Sequence, residues 1–240
     1  MILRSLICFS FAACFSFTAG AACGATLSGT VTLRDSQVDA VKKRMDFSGV
    51  VVSAQPLNGQ AAPPPSAHAT MLQKGKTFTP HILPVTVGTT IDFPNADPIF
   101  HNAFSSYSGE IFDIGLYPPG TSRSFRFSRP GIVRVFCNIH PTMSAVILAL
   151  TTPYFVRTAK NGSFEMSVPP GEYEFHVFHE RATEKELAGL ARRIVVPEDG
   201  FRIPAITVSE AGYLVSPHKN KYGHDYPPSS EDQVFYPARN

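Results

Sequence analysis

One short stretch of this sequence combines three side chains that bind soft metal ions. Cys137, His140 and Met143 follow one another at intervals of three residues, and a His-Asn pair, His101 and Asn102, lies upstream. Two imidazoles, a thiolate and a weak thioether form the donor set that suits copper cycling between Cu(I) and Cu(II). A single His or Met is more often packed or exposed than metal-bound. The combination of residue types and spacing nevertheless favours one copper site over coincidence.

The N-terminal 25 residues have the composition of a secretory signal. They contain one charged residue, residues 6–17 are apolar apart from two serines, and small residues follow. This pattern predicts cleavage after Ala25 and a periplasmic or secreted protein; the alternative is a lipoprotein modified at Cys23. After cleavage Cys137 is the one cysteine left. A lone thiol in an oxidising compartment is either buried and inert or held by a metal.

Composition limits the fold and the partners. The 240 residues carry 21 Lys and Arg against 19 Asp and Glu, a net charge of +2 that excludes a large basic face for nucleic acid. The 21 Pro and 17 Gly are too many for a helical bundle. No stretch after the signal approaches 18 continuous apolar residues, so no transmembrane segment is expected in the mature chain.

Short alternating segments separated by turn residues predict an all-β fold of sandwich or barrel type. His101 lies in a loop after the predicted strand Thr89–Phe93, and Cys137 ends the strand Ile132–Cys137. Because side chains alternate along a strand, Cys137 is expected to face inward with Val133 and Val135. Asn161-Gly162 predicts a hairpin turn. The single helix predicted from the pattern covers Thr183–Arg193.

These features closely resemble the cupredoxins, the small blue-copper proteins such as plastocyanin and amicyanin. The likeness rests on Val85–Phe93, on His101-Asn102 and on Cys137–Met143, and the short ligand loop with Pro141 is most similar to amicyanin. By resemblance, His101, Cys137 and His140 would be equatorial copper ligands and Met143 the axial ligand. The side chain of Asn102 would tie the two ligand loops together.

Residues 152–180 resemble the carboxypeptidase-regulatory-like modules, small sandwiches with a carbohydrate-binding-like fold. The likeness rests on the turn segments Asn161–Phe164 and Val168–Tyr173. The expected organisation is a signal over 1–25, a Greek-key cupredoxin sandwich over 26–150, a second small antiparallel β-sandwich over 151–208 and a disordered tail over 216–240.

The resemblance implies an electron carrier, not an enzyme, with one type 1 copper per chain. Its partner would be a redox protein such as a c-type cytochrome or a periplasmic dehydrogenase. Copper delivery is one alternative, although the five scattered Met form no Met-rich tract. Another is a copper-free module that binds polysaccharide through the second domain, although the chain has no Trp for an aromatic platform. Multicopper oxidase chemistry typically needs His-x-His pairs, and the sequence has none.

Overall fold

A computed structural model describes residues 24–58, 67–106, 109–213 and 218–226. Within these ranges the chain forms eighteen strands and two short helices, so the predicted all-β class is confirmed. The predicted signal up to residue 23, with Cys23, lies outside the described residues, as do 214–217 and 227–240. None of the described helices is long and apolar enough to cross a membrane.

The elements follow one another in short segments. The strands are β1 Ala25–Arg34, β2 Val51–Pro56, β3 His68–Thr70, β4 Leu72–Lys74, β5 Thr77–Thr79, β6 Ile82–Thr86, β7 Thr90–Pro94, β8 Phe104–Ser105, β9 Phe112–Asp113, β10 Ser122–Arg126, β11 Gly131–Phe136, β12 Ser144–Leu150, β13 Phe155–Arg157, β14 Ser163–Val168, β15 Gly171–Phe178, β16 Arg192–Val196, β17 Phe201–Arg202 and β18 Ile206–Ser209. The helices are α1 Asp39–Arg44 and α2 Glu184–Leu190.

Residues 67–150 build one sandwich, here called the central sandwich. Its sheets run in the orders β10-β7-β3 and β6-β12-β11-β8-β9, and β4 and β5 form a separate pair. The buried residues of its core all lie between Met71 and Ala149. The central sandwich therefore contains a complete hydrophobic core of its own.

Residues 24–58 and 151–213 together build a second sandwich, here called the flanking sandwich. Its sheets run in the orders β14-β1-β17, with β18 also on β1, and β13-β2-β15-β16. Strand β1 pairs antiparallel with β14 but parallel with β17 and β18. The N-terminal strands thus occupy interior positions of both sheets, and they share one core with C-terminal residues.

This pairing differs from the division at residue 150 expected from sequence. Leu27, Val31 and Val52 pack in one core with Phe164 and Phe175, so residues 26–58 belong with the C-terminal strands. The central sandwich is an insertion between the two parts of the flanking sandwich. The chain leaves the flanking sandwich and returns to it at nearly the same point. Thr151 Oγ1 donates a hydrogen bond to Gln55 Oε1 there at 2.8 Å.

Strand β12 is buried on both faces, which explains its unbroken run of apolar residues. Ala145, Ile147 and Ala149 belong to the core of the central sandwich. Val146 and Leu148 lie on the opposite face, in a smaller cluster with Val51 of β2. The two sandwiches are therefore packed against each other through this cluster.

The predicted hairpin at Asn161-Gly162 is wrong. The turn is present, since the Gly162 N–H donates to Ala159 O at 2.8 Å, but β13 pairs with β2 and β14 pairs with β1. The turn carries the chain from one sheet to the facing sheet. Gly162 has φ +79°, and a Cβ there would collide with the carbonyl oxygen of Val31, so the position needs glycine.

Helix α2 is shorter than predicted. Thr183 caps it by accepting a hydrogen bond from the Glu186 N–H at 3.2 Å, and the helix ends at Leu190 because Arg192 and Arg193 pair with β15. Helix α1 was not predicted.

An ion pair also joins the two sandwiches. His81 Nε2 lies 2.8 Å from Glu180 Oε2, and its Nδ1 lies 3.1 Å from the carbonyl oxygen of Ser144. Both neighbours are acceptors, so the doubly protonated imidazolium satisfies both. The hydrogen bond with Glu180 raises the pKa of His81, and burial opposes this shift only in part.

We expect this ion pair to make stability pH-dependent. The raised pKa of His81 means that its contribution is complete below the ordinary value of about 6.5 and is lost as pH rises through the folded-state value. The His81 side chain is 48% exposed, so we expect a contribution below ~1 kcal/mol. As pH rises from about 6.5 through the folded-state pKa of His81, the free energy of unfolding measured in urea should decline less for His81→Gln than for the unaltered chain. His176→Gln, at a half-buried histidine beside Glu174, is the matched control; an equal decline in all three chains would contradict the prediction.

Candidate metal centre

Three predicted ligands meet inside the central sandwich. Cys137 Sγ lies 3.8 Å from His101 Nδ1 and 3.5 Å from His140 Nδ1. One donor atom from each residue lies within 4.8 Å of the others. His101 and Cys137 are 0% exposed and His140 is 7% exposed. The three side chains thus form a compact, buried set of one sulfur and two nitrogens.

The spacing of these donors fits a single bound ion. Bonds of about 2.0 Å to nitrogen and 2.3 Å to sulfur, at trigonal angles, place the two donors roughly 3.8 Å apart. The measured sulfur–nitrogen distances of 3.5 and 3.8 Å agree with this value. A trigonal set of two imidazoles and one thiolate, with a weak axial thioether, is typical of copper sites that transfer electrons.

The loop after β11 positions the sulfur. Val133, Val135 and Cys137 are fully buried in one core, so the predicted inward face of this strand is confirmed. The Cys137 N–H donates to Met143 O at 3.1 Å, and the Met143 N–H donates to His140 O at 3.0 Å. These bonds close the loop tightly. Met143 is fully buried and lies in the same hydrophobic core as Cys137.

A different loop supplies His101. The backbones of His101 and Tyr117 form a β-bridge, with N–H···O distances of 3.2 and 2.9 Å. The Tyr117 hydroxyl donates to Phe93 O at 2.7 Å and accepts a hydrogen bond from Gln73. This network links the backbone of His101, through Tyr117, to β4 and β7 of the central sandwich.

Asn102 joins the two ligand loops. Its Oδ1 accepts a hydrogen bond from the Asn138 N–H at 2.7 Å, directly after Cys137. Its Nδ2 donates to Asp113 Oδ1 at 2.9 Å. The backbone that carries the sulfur is therefore tied to the backbone that carries His101.

Asp97 contacts the site, and the sequence analysis did not identify it. Its Oδ2 lies 2.8 Å from His101 Nε2, and its carboxylate accepts the N–H groups of Gly75 and Lys76 at 2.6 and 2.8 Å. Burial would raise the pKa of Asp97, but the hydrogen bonds from Lys76, Gly75 and His101 outweigh it and lower the pKa. An ionised carboxylate holds the proton on Nε2 and leaves the Nδ1 lone pair facing Cys137. The one signal in sequence was an acidic residue four positions before His101.

Burial raises the pKa of the Cys137 thiol, and nearby backbone N–H groups oppose this only in part. The thiol is therefore protonated in the metal-free protein. A metal that binds there must displace this proton, as soft metals do at cysteine sites.

Residues 218–226, here called the C-terminal strap, lie against the ligand loop. The Tyr226 hydroxyl donates to Cys137 O at 2.7 Å, and the Lys221 N–H donates to Asn138 Oδ1 at 2.9 Å. The expectation of a disordered tail over 216–240 is therefore wrong for these nine residues. Specific hydrogen bonds to the central sandwich hold these residues in place, although their composition is polar and prolines flank them.

Comparisons with known proteins give structural likenesses alone. No protein-family model and no curated protein matches the chain. A copper-containing nitrite reductase from Thermus scotoductus SA-01 is 26% identical, with a TM-score of 0.33, over 40% of this chain and 25% of its own. A purple cupredoxin from Nitrosopumilus maritimus is 21% identical, with a TM-score of 0.31, over 35% of this chain and 100% of its own. A reduced amicyanin variant is 17% identical, with a TM-score of 0.33, over 42% of this chain and 99% of its own.

Proposed function

We propose that this protein is an exported electron carrier with one type 1 copper ion, and that it is not an enzyme. The ligands would be His101, Cys137, His140 and, axially, Met143. The observation that carries the proposal is the buried set of Cys137 Sγ and two imidazole nitrogens within 4.8 Å of one another. Copper in such a set supplies a reversible one-electron couple between Cu(II) and Cu(I).

The surrounding residues suit electron transfer because they restrict movement and water. His101, Cys137 and Met143 are fully buried, so solvent contributes little to the reorganisation that accompanies a change of charge. Asp97 holds the ring of His101, and Asn102 holds the loop of Cys137. A ligand set fixed in this way changes shape little between the two charge states, which favours rapid exchange.

A redox partner would approach near His140. Among the three donors it is the one with measurable exposure, at 7%, and the adjoining Pro141 is exposed. With Ile139, these residues would offer a small apolar contact for a c-type cytochrome or a periplasmic dehydrogenase.

Optical and magnetic spectra of the copper-loaded protein test this function. We would express residues 24–240, add one equivalent of Cu(II), and record the visible and EPR spectra. An intense visible band with unusually narrow copper hyperfine splitting is expected. A pale spectrum with ordinary splitting would contradict electron transfer at a type 1 site and favour copper delivery. No copper binding would favour polysaccharide binding through the flanking sandwich.

Asp97→Asn should weaken copper binding about 10- to 100-fold, the usual effect of losing a carboxylate that orients a histidine ligand. An amide nitrogen that donates to Nε2 would move the ring proton to Nδ1, where the metal must bind. Competition with a chelator measures the affinity. Asp92→Asn is the matched control, because Asp92 lies in β7 of the same sandwich but bonds Ser124 and His68 instead. Equal affinity in both variants would contradict the role of Asp97.

Export and the nature of the flanking sandwich complete the proposal. The apolar N-terminal segment supports cleavage near Ala25, which N-terminal sequencing of the protein from a periplasmic fraction tests. A lipid-modified Cys23 would appear there as a blocked N-terminus. The flanking sandwich would be a carboxypeptidase-regulatory-like module that supports the copper-binding sandwich.

A further inference from the structure

The C-terminal strap contacts the ligand loop through backbone and side chain together. Besides the Tyr226 bond to Cys137 O, the His218 ring stacks on Phe136 with centroids 4.0 Å apart. Tyr226 packs edge-on against His218 at 5.1 Å. The strap therefore contacts Phe136, the last residue of β11, through the His218 ring, and Cys137 through the Tyr226 hydroxyl.

A second set of contacts forms a closed ring around the joined ligand loops. Lys221 Nζ lies 2.8 Å from Asp113 Oδ2, and the Lys221 N–H donates to Asn138 Oδ1 at 2.9 Å. Asp113 accepts from Asn102, and Asn102 accepts from the Asn138 N–H. Each link thus supports the next, and the strap contributes Lys221 to a network that otherwise consists of the two ligand loops and Asp113 of β9.

The strap has a defined shape of its own. Asn220 Oδ1 accepts the N–H groups of Tyr222 and His224 at 2.9 and 3.1 Å, and the Asn220 N–H donates to His224 O at 2.9 Å. A turn closed in this way presents Lys221 and Tyr226 in a fixed relation. This ordered strap makes two hydrogen bonds to the Cys137 loop, at Cys137 O and Asn138 Oδ1, and one ion pair with Asp113 of β9.

We propose that the C-terminal strap holds the Cys137 loop in the conformation that binds metal, with Tyr226 as its main positioning residue. The Cys137 backbone is held at its N–H by Met143 O and at its carbonyl by the Tyr226 hydroxyl. The sulfur is thus restrained before metal binds, and reagents are kept from a thiol that is fully buried. The metal-binding part of this inference rests on the proposed function.

Tyr226→Phe removes the hydroxyl, which donates to Cys137 O and also lies 3.2 Å from His218 Nδ1 within the strap. In the copper-free protein of residues 24–240, where Cys137 is the one cysteine, we expect the thiol to react with a maleimide about fivefold faster, the effect of losing the ordinary hydrogen bond to Cys137 O. Tyr173→Phe is the matched control: its hydroxyl donates to Pro169 O at 2.6 Å in the flanking sandwich. This control likewise loses a hydroxyl bond to a backbone carbonyl and should leave the rate within about twofold of the unaltered chain. Equal rates in the two variants would overturn the proposal.

The copper spectrum separates positioning from simple cover. Copper-loaded Tyr226→Phe should keep the visible band, but its EPR spectrum should show a changed copper hyperfine splitting. Copper-loaded Tyr173→Phe should keep both the band and the splitting of the unaltered protein. Faster alkylation with an unchanged splitting would overturn the positioning role, because Tyr226 would then only shield the thiol from reagents. Failure of the proposed function would appear in the unaltered chain as the absence of a type 1 spectrum. Failure of the present proposal would appear only in the comparison of the two variants.

Discussion

We expect the Cys137→Ser variant to lose the intense visible band of the copper-loaded protein completely. The band requires charge transfer from a thiolate to copper, and a serine hydroxyl stays protonated where a thiol can lose its proton on metal binding. The substitution exchanges one atom in a fully buried position, so the fold should persist. Visible absorption and EPR after addition of Cu(II) measure the result.

Met143→Leu is the control for this experiment. Leucine fills a similar volume in the same core but has no sulfur, and the axial position contributes only weakly to copper binding. This variant should therefore keep an intense band, with a shifted reduction potential. An intense band that survives in Cys137→Ser would contradict a copper–thiolate bond at this residue. Unfolding midpoints of the two copper-free variants show whether both are folded.

The second large effect concerns the flanking sandwich. We expect a fragment of residues 151–240 to show no cooperative unfolding, because it lacks the interior strands β1 and β2 of both sheets. The missing strands supply Leu27, Val31 and Val52, among others, to its core. Loss of one large buried side chain costs about 2–5 kcal/mol, and the total stability of a domain is roughly 5–15 kcal/mol.

A fusion of residues 24–58 to residues 151–240 is the matched comparison. Gln55 and Thr151 are hydrogen-bonded, so about four Gly or Ser residues suffice to join the two parts. The fusion should unfold cooperatively in urea, as monitored by circular dichroism. Residues 67–150 alone should also fold, because their core is complete. Cooperative unfolding of the 151–240 fragment would contradict the assignment of β1 and β2 to its core.

Local features of the structure could be predicted from sequence because they depend on neighbouring residues. The inward face of β11 follows from strand periodicity, and the loop Cys137–Met143 is short enough for its spacing to bring His140 beside the sulfur. The all-β class follows from many short alternating segments separated by Pro and Gly. In each case the residues that interact lie within a few positions of one another.

Features that depend on distant partners could not be predicted in this way. Nothing in the alternation of Leu27 and Val31 indicates whether they face a core built by residues 67–150 or by residues 151–213. The turn at Asn161-Gly162 has the composition of a hairpin, but the two strands it joins lie in facing sheets because each pairs with an N-terminal strand.

The spacing of Cys137, His140 and Met143 and the β class depend on residues close together in the chain, so the sequence alone was enough to predict them; the approach of His101, 36 positions from Cys137, was predicted from the resemblance. Contacts between distant segments show that the C-terminal strap lies on the Cys137 loop and that the central sandwich is an insertion in the flanking one. Asp97 is only four residues from His101, but its contact with Nε2 depends on the loop conformation, which the bonds from Gly75 and Lys76 help to fix. A carboxylate, a phenol or a strand edge can satisfy its hydrogen bonds with many partners. Because the packing of two cores selects among those partners, the choice becomes visible only in the folded chain.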